Sequence, residues 1–200
     1  VYKYFFPVAI AMFSFTVLTN IDVVLVKHFF SSLDAGYYSV AQMVGKIFLF
    51  LPSALAIVIF PKSTASYVNN AHSHKLLYKS LLLATSVCGI GVIFCFLFPQ
   101  LVLNILTSKA NPISTSLVGI FALTMSFYAL VWIIINYSLA THNLKIVFPL
   151  CILAIMESLL IWYHHTELKT VLIILCFFAI ICFSVTLGII SLRDRKRQKI

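Results

Sequence analysis

Val171–Leu192 reads VLIILCFFAIICFSVTLGIISL, twenty-two residues with no charge, and Arg193, Arg195, Lys196, Arg197 and Lys199 follow at once. About 20 apolar residues cross the hydrocarbon core of a bilayer as a helix. A basic cluster directly after such a run marks a cytoplasmic flank. Working back toward Val1, five more runs have the same character: Tyr4–Val26, Tyr37–Phe60, Leu76–Phe98, Ile113–Leu139 and Ile146–Tyr163. Inside all six runs only Asp22, Lys46, Lys79 and Glu157 carry charge. The runs are continuously apolar and lack ten-residue alternation, so helices are expected and not a barrel.

Composition agrees. Of 200 residues, 62% are apolar and 10% charged, against about 25% charged in a soluble domain. Mean hydropathy is +1.08. These values disfavour a soluble enzyme, a disordered chain, a disulfide scaffold and a nucleic-acid binder. The net charge of +9 is no nucleic-acid signal, because much of it sits in the tail 193–200. Cys88, Cys95, Cys151, Cys176 and Cys182 all fall inside apolar runs and form no CxxC; they read as small core residues. No metal or cofactor site is expected, nor any enzymatic motif: P-loop, GxSxG and HExxH are missing from the sequence.

Short polar segments separate the runs, such as Lys27–Gly36 and Ser108-Lys109-Ala110-Asn111-Pro112. The expected architecture is one bundle of six transmembrane helices over 1–200, with 193–200 a basic tail. Six spans place both ends on one side. That side carries Lys3, Lys62, Lys75, Lys79, Lys145 and the five tail cations, against Lys27, Lys109 and Lys169 opposite, so both ends are expected in the cytoplasm. Tyr37, Tyr38, Trp162 and Tyr163 sit where interfacial anchors belong. The chain opens on Val1, and a piece of a longer membrane protein is expected.

Polar side chains inside a membrane usually face the bundle or a wet cavity. In the second run Ser39, Gln42, Lys46 and Ser53 are spaced 3, 4 and 7, which stacks them on one helix face. Lys46 lies about 13 Å below the outer end at 1.5 Å per residue. That face reads either as the wall of a cavity that takes an anionic solute or as an ion-paired bundle contact. Asp22 is close enough in depth to be a partner for Lys46, and sequence leaves the choice open. Asn20 follows Thr16 by one turn on the first run. Gly45 and Pro52 flank Lys46 as hinge candidates. Glu157 lies mid-span and, with Asp22, is a candidate for ion or proton coupling. Thr124, Tyr128, Trp132 and Asn136 form a further face that could stack on sugars or serve as helix–helix glue.

Asn20-Ile-Asp22, Asp34-Ala-Gly36-Tyr37-Tyr38, Lys46, Pro52 and Phe60-Pro61-Lys62 together resemble the start of the C-terminal half of polysaccharide-type flippases. These belong to the multidrug/oligosaccharidyl-lipid/polysaccharide exporter superfamily. The motif covers residues 20–62, and the rest matches in hydropathy and spacing. The resemblance implies one six-helix lobe of a two-lobe transporter whose other lobe precedes it. Such a transporter moves lipid-linked oligosaccharide across the cytoplasmic membrane for surface polysaccharide, by alternating access. It also implies that Asn20, Asp22, Gln42 and Lys46 line the substrate cavity. Rival readings are a drug/cation antiporter or peptidoglycan-precursor flippase of the same superfamily, and a membrane-embedded glycan polymerase or transferase.

Overall fold

The computed structural model describes residues 2–52, 73–107, 111–141 and 143–197, and among them there are helices and no strands. The order is α1 (Tyr2–Phe29), α2 (Ser32–Phe50), α3 (Ser73–Leu97), α4 (Pro99–Thr107), α5 (Pro112–Ala140), a 3₁₀ turn (Leu144–Ile146), α6 (Val147–Tyr163) and α7 (Leu168–Arg197). Among the described residues five helices are long and apolar enough to cross a membrane: α1, α3, α5, α6 with its 3₁₀ turn, and α7. The described part of α2 is not one of them. Asp34, Gln42 and Lys46 lower its hydropathy, and residues 53–60 of the expected second span lie outside the described residues.

Four boundaries differ from expectation, each for a local reason. The segment Lys27–Gly36 is almost entirely helical. Ser31 caps α2, its Oγ accepting from the Asp34 amide at 3.1 Å and donating to Asp34 Oδ2 at 2.8 Å. This satisfies a free amide at the helix start and leaves only Phe30 and Ser31 between the helices. After Leu97 the chain opens α4 at Pro99, as suits a residue with no amide hydrogen to offer. At its far end α7 continues through Arg193–Arg197, since nothing there breaks a helix. Pro112, expected in a loop, sits in the first turn of α5, where the Asn111 side chain accepts from the Ile113 amide at 2.9 Å.

The bundle is organised around α5. Its apolar window is 78% buried, against 22% for α3, and it packs on α2, α3 and α7. A helix apolar all round belongs inside. By contrast α1, α3 and α6 display Phe13, Leu82, Ile90 and Phe148 outward, a surface that water does not tolerate and lipid does. Two pairs of helices run parallel. Ser114 Oγ donates to Tyr37 O at 2.9 Å near one end of the α2–α5 contact, and Gly45 meets Phe121 and Met125 further along. Likewise Ser14 lies 3.1 Å from Cys151 on one level of α1 and α6, and His28 stacks on Trp162 at 5.8 Å on another. Asp22 and Glu157 fall between those two levels and therefore share one depth.

Gly45 is a contact point and not a free joint. A Cβ there would lie 3.0 Å from Met125 Cγ and 3.1 Å from the Phe121 carbonyl oxygen. Its lack of a side chain lets α2 touch α5 backbone to backbone, in the manner of small residues at membrane helix contacts. Pro52 is buried in the turn that follows α2, and the segment after it lies outside the described residues.

Candidate functional site

Hydroxyls in hydrocarbon must find a partner. Here most fold back on their own helix: Thr16 Oγ1 donates to Met12 O, Thr19 Oγ1 to Phe15 O and Ser39 Oγ to Ala35 O, all within 2.8–2.9 Å. Several larger polar side chains find partners on other helices, and they build two clusters.

The first joins α1 to α2. Asp22 is fully buried and accepts from Tyr38 Oη at 3.0 Å. It also accepts from Gln42 Nε2, which lies 3.1 Å from Oδ1 and 3.2 Å from Oδ2. Lys46 does not join it. Its Nζ donates to Asn20 Oδ1 at 2.9 Å, and Asn20 Nδ2 in turn donates to Thr16 O at 2.9 Å and Thr19 Oγ1 at 3.0 Å. The expected cavity residues therefore divide. Asp22 and Gln42 point into the packed interior. Asn20, Ser39 and Lys46 are half-buried on the open side of the α1–α2 hairpin, with Thr16 exposed beside them. Ser53, the last member of that face, lies outside the described residues.

The second cluster joins α5 to α6. Glu157 is fully buried, and Tyr128 Oη donates to its Oε2 at 2.7 Å. Its Oε1 has no hydrogen-bond partner among the described residues. Each carboxyl group thus has a tyrosine from the neighbouring helix. The rest of the fourth-run face is absorbed by packing: Thr124 Oγ1 donates to Ile120 O, Trp132 lies 4.9 Å from Phe15, and Asn136 Nδ2 donates to Trp132 O.

Sequence reasoning named Tyr128 as part of a helix face and Tyr38 as an interfacial anchor, and matched neither with a carboxyl group. Tyr38, expected at the interface, is fully buried. The available signal was its four-residue spacing to Gln42, which puts two hydrogen-bond donors on one face. Trp162 and Tyr163 are exposed at the end of α6, as anchors should be. At the same end, His165 stacks on Phe29 at 3.8 Å and its Nδ1 donates to the Trp162 carbonyl at 2.8 Å.

Chemically, the site has one cation bonded to a neutral amide and two interior carboxyl groups, with no cluster of His, Cys, Asp or Glu suited to a metal among the described residues. The fold and these buried polar groups define an all-α membrane protein with several spans. The chain is similar to an uncharacterized membrane protein of Methanocaldococcus jannaschii, 24% identical over 132 residues. That match covers 64% of this chain and 31% of the relative, so the chain spans less than a third of the relative's length. No family model matches the chain, and no solved structure does.

Proposed function

We propose that this chain forms a six-helix lobe of a flippase that moves lipid-linked oligosaccharide across the cytoplasmic membrane for surface polysaccharide. A companion lobe completes the cavity, access alternates, and no covalent chemistry is performed. The observation that carries this reading is Lys46. A cation deep in a membrane costs about 2.5–3.5 kcal/mol on insertion scales. An ion pair would offset that, but Lys46 is bonded to an uncharged amide on the open face of the hairpin. Among the described residues its hydrogen bond is to a neutral group, which leaves its charge able to attract an anion, and a lipid diphosphate is one that a lysine binds as a point charge. Thr16, Ser39 and Asn20 beside it suit hydroxyl-rich sugar.

The carboxyl groups favour a second element of the same reading. Glu157 Oε1, buried and without a partner among the described residues, suits a group that takes up and releases a proton or cation, with Asp22 at the same depth. In the antiporter reading these carboxyl groups would carry the whole function.

The test is the full-length protein in vesicles holding a fluorescent lipid-linked oligosaccharide in the inner leaflet. The lipid should become accessible to an external glycosidase faster than in protein-free vesicles. Uptake of a cationic dye without lipid movement would select the antiporter, and new glycosidic bonds would select the transferase. Orientation is tested separately. Cysteines placed at Ser32 and Asn111 should react with an impermeant maleimide from outside, and one at Asn70 should not. Outside labelling of Asn70 would overturn the arrangement with both ends cytoplasmic.

A further inference from the structure

The ends of α1 and α6 are joined in a way that the proposed transport does not use. His28, in the last turn of α1, stacks on Trp162 of α6 at 5.8 Å, with the rings 18° apart. His165, just past the end of α6, stacks on Phe29 of α1 at 3.8 Å, with the rings 12° apart. Each side thus lends an imidazole to an aromatic ring of the other. Phe29 and Trp162 close the set edge to face at 5.0 Å. His28 is exposed and His165 half-buried, so protons can reach both.

Three effects favour the charged imidazole in this arrangement. A cation over an aromatic face is attracted by the negative charge of that face. The two helices run parallel, so both bring the negative end of their macrodipole to this level, where cations offset it. Finally, His165 Nδ1 already donates to the Trp162 carbonyl, one of the last of α6, so a second proton goes to Nε2 and leaves that bond in place. Histidine is the side chain that changes charge between pH 5 and 8. The other titratable groups around this end are Lys27 on α1, Asp34 at the start of α2, Tyr163 and His164 at the end of α6, and Glu167 and Lys169 beside the start of α7. The two lysines balance the two carboxylates, and among the described residues His164 makes no ring contact. We propose that His28 and His165 form a proton-strengthened clasp that holds these ends of α1 and α6 together in acid and lets them part near neutral pH. Both imidazoles touch Phe29, at 4.8 and 3.8 Å, so the second proton meets the charge of the first and the two titrate as a coupled pair. The clasp is independent of what the chain transports.

The experiment uses the full-length protein in lipid nanodiscs with 5-fluorotryptophan in place of tryptophan. The Trp162 signal in the fluorine spectrum is the one lost in Trp162→Phe. From pH 8 to pH 5 the ratio of stacked to unstacked Trp162 should rise about tenfold, a change of about 1.4 kcal/mol. His28→Gln and His165→Gln should each remove part of that rise, and the double variant should remove all of it. His164→Gln should leave it unchanged. Arginine stacks on aromatic faces and stays charged, so His28→Arg should keep Trp162 stacked at pH 8 as it is at pH 5. A wild-type ratio that does not move with pH would overturn the clasp, as would a rise that persists in the double variant. So would a His28→Arg protein with the wild-type ratio at pH 8, and this variant decides the matter if the glutamine pair does not fold.

Discussion

Lys46→Ala is expected to fold and insert at the normal level and to lose most lipid-linked sugar transport. A hydrogen bond to a charged group contributes about 1.5–3 kcal/mol, so losing it at a bound phosphate means roughly a tenfold to hundredfold drop. Lys46→Arg keeps a cation and should keep part of the activity. The structure also bears on the double neutral variant. Because Lys46 bonds to Asn20 and Asp22 bonds to Tyr38 and Gln42, Asp22→Asn with Lys46→Gln should be no more active than Lys46→Gln alone. The assays are folded protein level by fluorescence-detected size exclusion and transport in the same vesicles. An active Lys46→Ala removes Lys46 from the site. A rescued double variant shows that the two groups act as an ion pair.

The second large effect is on stability. Asp22→Leu strips the acceptor from two buried donors, the Tyr38 hydroxyl and the Gln42 amide. Leaving a buried donor unsatisfied costs about 1–3 kcal/mol, so the pair should lose about 2–6 kcal/mol by the same measure. Thermal unfolding in detergent should show a large fall in midpoint. Asp22→Asn retains a carbonyl oxygen and should lose much less. A stable Asp22→Leu would show that these hydrogen bonds do not hold the hairpin together. A stable Asp22→Asn that fails to transport would instead assign Asp22 to coupling.

The class of fold is legible in the sequence because lipid imposes it through length and composition, and Val171–Leu192 suffices for that. Helix ends are less legible. Asp34-Ala-Gly36 looks like a turn by composition, yet Ser31 and Asp34 at spacing three form a cap that begins α2 there. Residues Pro99–Thr107 resemble an outer loop because nine residues cannot cross a bilayer, and only their packing on α5 gives them a role. At the site, spacing correctly stacked Ser39, Gln42 and Lys46 on neighbouring positions of one helix. It could not tell which of them faces inward. That depends on the rotation of α2 against α1, which is fixed by the Gly45 contact with α5 eighty residues downstream. For the same reason the sequence could not choose a partner for Lys46.

The way the buried polar groups are connected has a consequence for biogenesis. A chain enters the membrane in the order in which it is made, and a polar group in lipid needs its partner at that moment. Tyr38 and Gln42 reach back to Asp22, and Lys46 reaches back to Asn20, all within the first hairpin. The hairpin can therefore leave the translocon with these side chains already satisfied, before α5 exists. Glu157 emerges later, when its tyrosine on α5 is already in place. Among the described residues, Asp22, Lys46 and Glu157 thus each have a hydrogen-bond partner in the same hairpin or in a helix already made.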